Sequence, residues 1–486
     1  MITPHTAPAA DTLRLAFYGD DFTGSTDALE VLAFAGLRCA LFLSVPSAET
    51  LRELGPFDAI GIAGDSRAMS PAEMDAHLPA VLAAMARLPT PLVHYKVCST
   101  FDSSPTIGSI GRVMDLARAA FGDAPIPIVA GTPGLGRYCL FGNLFARSGT
   151  DGQVHRLDRH PIMSTHPVTP MAEADLVRHL AAQTGQQIAR FELPNFANDR
   201  SAMDRELERL VAQASGALLF DGATPAHLTD VGRMLEGLSR ANHLHHSRPL
   251  FCVGSSGLEY GMTQWWRESG VHPEAGRAAA VDSARFEAVP QVLAVSGSAS
   301  PLSALQIDAA VAAGFVDLPV DASALVAGSG SGTDWQDSLD HLTDQTIQAL
   351  QQGHSVMLHT ARGVHDPRIE ATIAALVSTG LTRDQARHEG GRRLGQQLGQ
   401  LVDTVLRAVP LRRLLLSGGD TSSQITQCLA PDALLIAARL APGAPLCRVV
   451  SRERHLHQLQ IALKGGQMGQ ADYFVKALRG TVQTGL

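Results

Sequence analysis

The stretch LRLAFYGDDFTGSTDALEVLAFAG (13–36) predicts a strand, a polar turn and a helix in direct succession. The apolar run 13–18 has the length of a buried strand, and the apolar residues from Leu29 onward have helical spacing. Thr23 or Ser25 is the expected cap of that helix. A strand that leads through a short polar turn into a helix is the repeating unit of a parallel α/β sheet.

The same succession recurs along the chain, which predicts an α/β fold of two domains with largely parallel sheets flanked by helices. At roughly 100–200 residues per domain, 486 residues correspond to two or three domains. The Ala-, Gly- and charge-rich segment 268–290 indicates a boundary, which gives domains 1–284 and 285–486. Further strand-like runs are AIGIAG (59–64), LVHYKVCS (92–99), IPIVAG (126–131), ALLFDG (217–222), PLFCVGSSG (249–257), QVLAVSGSAS (291–300), SVMLHTARG (355–363) and RRLLLSGGDTS (412–422).

Composition excludes several classes of protein. The net charge is −8, so the basic face of a nucleic-acid-binding protein is not expected. Six cysteines include no C-x-x-C pair, which favours free thiols in a reducing compartment. We find no signal peptide and no apolar run long enough to span a membrane. We therefore expect a soluble, cytoplasmic protein.

Asp20 and Asp21 occupy the predicted turn between the first strand and the first helix. One interpretation is structural: one aspartate fixes the turn and the other favours the helix start. The other is catalytic: one carboxylate takes a proton from a substrate hydroxyl while its neighbour holds a second hydroxyl. Ligands of parallel sheets bind at the carboxyl ends of the strands, where this pair is expected to lie.

Two further loops of the N-terminal half carry candidate binding residues. KVCSTFDSS (96–104) offers Lys96, Ser99, Thr100 and Asp102, a mixture that suits a polyhydroxylated anion. The alternative is an ordinary polar turn in which Asp102 or a serine caps a helix that starts near Pro105. GTPGLGR (131–137) ends in an arginine that can pair with a carboxylate.

Three glycine-rich loops follow strands beyond the boundary: SGSAS (296–300), SGGDTS (417–422) and LKGGQMGQADYF (463–474). Small residues let backbone N–H groups approach phosphate oxygens, so these loops favour a nucleotide site. No Walker-type phosphate loop is present, and HLHH (243–246), read as a polar loop, has no nearby carboxylate to complete a metal site. We predict no protein metal site.

These loops, in this order, resemble those of the four-carbon acid sugar kinases. The family's D-D-x-T-G matches residues 20–24, its K-x-x-S-T matches 96–100, and its H-P-x-T-P-M matches 166–171. In the C-terminal half the resemblance continues through 296–307, 417–422, APGAPL (441–446) and the segment around Lys464. The resemblance spans nearly the whole chain.

The resemblance implies an N-terminal domain that binds a sugar acid, a C-terminal domain that binds ATP with Mg²⁺, and an active site in the interdomain cleft. It implies phosphoryl transfer to threonate-type acids, 3-oxo-tetronates or branched relatives such as 3-oxo-isoapionate. Asp21 is the expected base and Asp20 a ligand of hydroxyls, although the sequence does not separate the two roles. Lys96 and Arg137 would hold the negative charge of the acid. The expected nucleotide-binding residues are Ser296, Ser298, Gly418, Gly419, Asp420, Thr421, Gly443, Lys464, Gly465 and Gly466.

One position departs from the family pattern. After S-T the resemblance predicts a hydrophobic residue and then Arg-Gly, whereas this chain has Phe101 and Asp102. An acid in place of an arginine that pairs with carboxylate leaves the substrate open. Two rival functions stay open as well: a sugar-phosphate phosphatase or aldolase-like enzyme, and a non-catalytic two-domain metabolite-binding protein. The expected partner is a small sugar acid, and a homodimer is one assembly that we consider.

Overall fold

The computed structural model describes residues 13–148, 152–166, 169–213, 216–270, 286–327 and 334–480. Contacts divide the chain into two compact units, one of Met1–Ala40 and Ser44–Ala279, and one of Leu41–Leu43 and Ala280–Leu486. The predicted boundary between residues 284 and 285 lies outside the described residues, as do Pro167 and Val168 of the segment 166–176.

The first unit alternates strands and helices, as the sequence pattern predicts. Its elements are β1 (Leu15–Gly19), α1 (Phe22–Phe34), the first two residues of β2 (Cys39–Phe42), α2 (Ala48–Leu54), β3 (Ala59–Ala63), α3 (Pro71–Met85), β4 (Leu92–Lys96), α4 (Ile110–Phe121), β5 (Ile126–Val129), β6 (Arg137–Leu140), β7 (Asn143–Arg147), β8 (Val154–Arg156), α5 (Leu176–Ala181), β9 (Ile188–Phe191), α6 (Arg200–Gln213), β10 (Ala217–Phe220), α7 (Pro225–His246), β11 (Leu250–Gly254) and α8 (Gly257–Glu268).

A parallel sheet organises this unit, with neighbouring strands in the order β3-β1-β4-β11-β5-β10-β9. Every residue of β1, β4 and β11 is buried, because helices cover both faces of a parallel sheet. Gly19, Lys96 and Gly254 end these strands in register, so the loops that follow leave the sheet side by side. A small antiparallel sheet, β6-β7-β8, follows β5.

The second unit repeats the alternation and adds a hairpin. Its elements are β12 (Leu293–Ser296), α9 (Pro301–Ala312), β13 (Val316–Pro319), α10 (Ala322–Ala327), α11 (Asp334–Gln351), β14 (Val356–His359), α12 (Pro367–Val377), α13 (Arg383–Ala408), β15 (Arg413–Ser417), α14 (Gly419–Leu429), β16 (Ala433–Ala441), β17 (Ala444–Val450), β18 (Gln460–Lys464) and α15 (Tyr473–Arg479).

Strands β13-β14-β12-β15-β18 are parallel neighbours, and β17 and β16 extend the sheet in antiparallel order. Ala294, Leu415 and Ala462 pack with α9 and α15 in one buried apolar cluster. Side chains two residues apart in a strand share a face, so the last side chains of β12, β15 and β18 lie on the same face of the sheet as this cluster. The α/β fold with largely parallel sheets is confirmed.

Two predictions about helices are wrong. Asp21, not Thr23 or Ser25, caps α1. HLHH belongs to the last turn of α7 and not to a loop. No helix within the described residues is long and apolar enough to cross a membrane.

Candidate functional site

The adjacent aspartates lie where β1 ends and α1 begins, and one arginine holds both. Arg67 lies on a short 3-10 turn after β3. Its Nη2 and Nε donate to the two carboxylate oxygens of Asp20 at 2.7 and 3.1 Å, and its Nη1 donates to Asp21 Oδ2 at 2.8 Å. Asp21 Oδ1 accepts from the Gly24 amide at 2.7 Å, as an N-cap does. The pair is therefore neutralised in part by a residue 46 positions away along the chain.

The two carboxylates differ in exposure. The side chain of Asp20 is 3% exposed and that of Asp21 is 23% exposed. Burial raises the pKa of Asp20, and the guanidinium of Arg67 opposes that rise. Asp21 is thus the member of the pair that a ligand in solvent reaches more easily.

Lys96, at the carboxyl end of β4, is buried among acids. Its Nζ lies 3.5 Å from Asp27 Oδ2 and donates to the Val97 carbonyl at 3.1 Å. Burial lowers the pKa of the Lys96 ammonium, but Asp27 and Asp20 outweigh it, so the pKa lies above its ordinary value. Lys96 is therefore a charged lysine with a carboxylate partner already in place.

The loop after Lys96 contains a buried carboxylate, Asp102, with one oxygen that accepts no hydrogen bond from the described residues. Asp102 is 8% exposed, and its Oδ1 has no hydrogen-bond partner among the described residues. It does not cap a helix, because α4 begins at Ile110 and Ser109 is its cap. The predicted helix near Pro105 is therefore wrong. An orphaned buried carboxylate oxygen is costly unless a ligand donates to it.

Neighbours of Asp102 do not neutralise it. His179 bonds to Ser103 Oγ at 2.8 Å, and burial lowers the pKa of its imidazole to about 4, so this ring is uncharged. Phe101 is fully buried with φ of 55°, an uncommon conformation for a side-chain-bearing residue. Strained backbone of this kind accumulates at functional sites and costs on the order of 1–3 kcal/mol.

The other predicted site residues of this unit, Ser99, Thr100 and Arg137, have fewer side-chain contacts than the aspartate pair. Thr100 Oγ1 lies 3.0 Å from Cys98 Sγ, and Ser99 is half-buried on the same turn. Arg137 starts β6 and donates to the Leu135 carbonyl, while its Nε is buried without a hydrogen-bond partner among the described residues. No ion pair within the described residues joins Arg137 to the Asp20–Asp21 pair.

The second unit gathers its polar residues at the ends of three adjacent parallel strands. Ser296, Ser417 and Lys464 end β12, β15 and β18 in register, so their side chains lie in a row on one face of the sheet. The Oγ atoms of Ser296 and Ser417 are buried without hydrogen-bond partners in the described part of the chain.

The three glycine-rich loops meet above this row. The Gly297 amide donates to the Ser417 carbonyl and the Gly418 amide to the Lys464 carbonyl, each at 2.9 Å. Gly418 has φ of 107°, which favours glycine, and a Cβ on Gly466 would collide with Ser298 Oγ. Glycine is thereby required where the three loops pack closely against one another.

Helix α14 begins directly at these loops. Gly418 is its N-cap and offers no side chain to bond the first amides. Gly419, Asp420 and Thr421 form the first turn, and Thr421 Oγ1 lies where a Cβ on Gly297 would fall. Free amides at a helix start attract anions.

Lys464 has an environment unlike that of Lys96. It is fully buried, and its Nζ donates only to the Gly465 carbonyl, at 3.2 Å, among the described residues. The rings of Tyr473 and Phe474 lie 5.6 and 6.0 Å away. Burial lowers the pKa of Lys464 to about 7. An anion in the adjacent loops would supply the missing counter-charge.

One further predicted residue, Gly443, and two residues that the sequence did not indicate remain to be placed. Gly443 lies in the turn between β16 and β17 with φ of 69°, against Met468. Arg67 and Asp27 were not anticipated as site residues. The signal for Arg67 was its position in the loop DSRAMSP directly after β3, a neighbour of β1 in the sheet.

Comparisons with known proteins agree with the two-unit organisation. Residues 15–262 match the family model of a sugar-binding N-terminal domain, and residues 293–474 match that of a nucleotide-binding C-terminal domain. Crystal structures from Salmonella typhimurium LT2, provisionally described as a tRNA synthase, and from Haemophilus influenzae share the fold. Their TM-scores are 0.73 and 0.66, at 22% and 23% identity, and the matches cover 96% and 95% of this chain and 99% and 98% of theirs.

Relatives of assigned activity match along almost their whole length. A 3-oxo-isoapionate kinase from Paraburkholderia graminis is 41% identical over 95% of this chain and 93% of its own. 3-Oxo-tetronate kinases from Methylobacterium radiotolerans and Pseudomonas fluorescens are each 28% identical over 96% of this chain, and over 99% and 96% of their own. This chain belongs to the four-carbon acid sugar kinase family.

Proposed function

We propose that this chain is an ATP-dependent kinase that phosphorylates a hydroxyl of a small sugar acid. The observation that carries the proposal is the buried Lys464, which has no carboxylate partner among the described residues and lies beside three glycine-lined loops, in the half that matches a nucleotide-binding domain. The other half matches a sugar-binding domain and holds the carboxylates that can accept a hydroxyl proton.

The proposed reaction uses Asp21 as the base. The substrate hydroxyl gives its proton to the Asp21 carboxylate, its oxygen bonds to the γ-phosphorus of ATP, and the bond to the bridging oxygen breaks to release ADP. The greater exposure of Asp21 supports this assignment over Asp20. Asp20 is proposed to help bind the substrate hydroxyls by holding Asp21 and Arg67 in place.

The sugar acid is proposed to bind at the carboxyl ends of β1, β4 and β5. Lys96 and Arg137 would offset its carboxylate, and Ser99 and Thr100 would hold its hydroxyls. Arg137 has an unused buried Nε, which supports a ligand role. Lys96 already has Asp27 as a partner, so its contribution is charge more than a direct bond.

The nucleotide phosphates are proposed to bind at Ser298, Gly418, Gly419, Thr421, Gly465 and Gly466, above Ser296 and Ser417, with Lys464 as the cation. Gly443 would support the loop through Met468. The Ser296 and Ser417 hydroxyls, which lack hydrogen-bond partners among the described residues, fit a site for phosphate oxygens. Asp420 fits Mg²⁺, which needs few protein carboxylates when phosphates supply the other ligands, and the ion would neutralise developing charge.

The substrate is proposed to be an oxidised or branched acid such as 3-oxo-isoapionate or a 3-oxo-tetronate. The names of the relatives support this class, and so does Asp102. A buried carboxylate with an oxygen that lacks a partner among the described residues accepts hydrogen bonds from hydroxyls, so it suits an acid with an extra or differently placed hydroxyl. We therefore expect threonate to be a poor substrate.

A panel of sugar acids in an ATP-coupled assay tests the function. We expect ADP formation with 3-oxo-isoapionate or 3-oxo-tetronate and little with threonate. Phosphate release from sugar phosphates without ATP would favour the phosphatase alternative instead. Binding of a sugar acid by calorimetry, without turnover and without nucleotide binding, would favour the metabolite-binding alternative. We further propose a cytoplasmic location, which cell fractionation would test, and a homodimer, which light scattering would test.

A further inference from the structure

Arg67 is the one residue among those described that bonds to both members of the aspartate pair. It uses Nε and one N–H of Nη2 on Asp20, and one N–H of Nη1 on Asp21. Since a guanidinium has five N–H donors, two remain. Its side chain is 24% exposed, so the group forms part of the wall of the site and is not sealed in the core.

We propose that Arg67 is a positioning residue that holds Asp20 and Asp21 as a fixed pair of ionised carboxylates, ready for a substrate hydroxyl. The inference rests on the proposed kinase function. Two carboxylates on consecutive residues repel each other, and a pair without a counter-charge would share one proton. A base that already carries a proton cannot accept another from the substrate.

The geometry favours a guanidinium over an ammonium in this place. The side-on contact of Arg67 with Asp20 is a two-bond fork, and a third bond reaches Asp21 from the same planar group. A lysine is a point charge that reaches one such position at a time. The backbone supports the same arrangement, because the Arg67 amide donates to the Asp20 carbonyl at 3.0 Å.

The tyrosines, the thiol and the lysine around the pair keep their protons through the neutral range. Burial raises the pKa of Tyr18 and Tyr95, and it raises the pKa of Cys98 to about 11. Lys96 stays charged, since Asp27 and Asp20 outweigh the effect of burial on its pKa. Asp102 lies beyond Cys98 and contributes negative charge. A shift of the acid limb after loss of Arg67 would therefore belong to the aspartates, because Lys464, whose pKa is about 7, is unchanged between the two proteins.

The test is the pH dependence of kcat/KM for Arg67→Gln with 3-oxo-isoapionate and ATP. Without the guanidinium, the acid limb should move to higher pH by about 1–3 units, the usual effect of an arginine on a neighbouring carboxyl. In Arg67→Lys the acid limb should return most of the way to its wild-type pH, whereas kcat should stay below the wild-type value. Arg112→Gln is the matched control, because Arg112 forms an exposed ion pair with Asp75 at 2.6 Å in the same unit.

A second measurement is independent of catalysis. Carbon-13 NMR of protein labelled at aspartate carboxyls should show a titration near neutral pH in Arg67→Gln that is absent from the wild type and lost in Asp20→Asn/Arg67→Gln. If Arg67→Gln does not fold, Arg67→Lys and that double variant, which leaves no unpaired buried carboxylate at position 20, carry the test. An unmoved acid limb together with an unchanged carboxyl titration would overturn the proposal. Failure of the wild type to phosphorylate any sugar acid would overturn the function alone, because the NMR titration still decides the role of Arg67.

Discussion

Each unit ends a parallel strand with a buried lysine, and the two lysines have opposite surroundings. Lys96 ends β4 with the Asp27 carboxylate 3.5 Å away, and its pKa lies above the ordinary value. Lys464 ends β18 without a carboxylate partner among the described residues, and burial lowers its pKa to about 7. The same residue in the same place of the same kind of sheet thus serves two purposes. We expect Lys96 to add positive charge to the sugar-acid site, whereas Lys464 leaves a charge for an incoming anion.

The largest effect is expected for the acids of the first unit. Asp21→Asn should lower kcat by about 10²–10⁴, the usual contribution of one acid–base group, because the amide cannot accept the hydroxyl proton. Asparagine still caps a helix, so α1 should persist. The measurement is steady-state turnover, with Asp75→Asn as a control at an exposed ion pair. Unchanged turnover in both Asp20→Asn and Asp21→Asn would return the pair to a purely structural role.

The two lysines should respond with opposite signs when each is replaced by methionine. Lys96→Met leaves buried carboxylates without a counter-charge and should reduce the free energy of unfolding by about 3–5 kcal/mol. Lys464→Met removes an unpaired buried charge and should be neutral or stabilising in the absence of nucleotide. Thermal unfolding of the ligand-free protein measures both, with the surface variant Lys476→Met as the control. Equal destabilisation by the two replacements would contradict the contrast.

Nucleotide affinity should depend on Lys464 and on pH. A charged hydrogen bond contributes about 1.5–3 kcal/mol, so Lys464→Met should weaken ADP binding by roughly 10- to 150-fold. Bound phosphate favours the charged lysine, so the affinity of the wild type should be constant below pH 7 and fall above it, by up to about tenfold per pH unit. Calorimetry from pH 6 to 9 measures this. A slope in Lys464→Met equal to that of the wild type would assign the pH dependence to another group.

The stability of the ligand-free protein should also depend on Lys464, but it should rise with pH where the nucleotide affinity falls. The folded-state pKa of Lys464 is lowered to about 7, below its value in the unfolded chain, so the unfolded state binds more protons above pH 7. The wild type should therefore gain stability relative to Lys464→Met as pH rises from 7 toward 10. Chemical denaturation at several pH values provides the measurement, and parallel curves for the two proteins would contradict it.

The smallest effect concerns the choice of substrate within the first unit. Asp102→Asn keeps the size of the side chain but accepts hydrogen bonds more weakly from the additional hydroxyl of a branched acid. The ratio of kcat/KM for threonate to that for 3-oxo-isoapionate should therefore rise several-fold, and Asp102→Arg, whose side chain accepts no hydrogen bond, should raise it further. Competition assays with both acids measure the ratio. If the ratio stays constant in both variants, Asp102 does not face the ligand.

Much of the fold followed from the sequence. Strand–loop–helix alternation predicted the parallel sheets, because buried strands read as short apolar runs and the loops after them as Gly, Ser and Asp. It also predicted which loops come together, since parallel strands end at a common edge. The aspartate pair, the turn after Lys96 and the three glycine-rich loops all lie at such edges.

The partners of those residues were decided by the tertiary structure alone. Arg67 reaches the aspartates only because β3 lies beside β1, and nothing in the spacing of 46 residues indicates that contact. Asp21 is the N-cap of α1 because its carboxylate accepts from the Gly24 amide, and local preferences do not resolve this position from Thr23 or Ser25. The sequence around Lys96 and Lys464 likewise does not show that one has a carboxylate partner and the other has none among the described residues. The charge of a buried lysine depends on which acids the packing of helices brings within a few ångströms, and that is set by strand order and helix placement, not by neighbours in the chain.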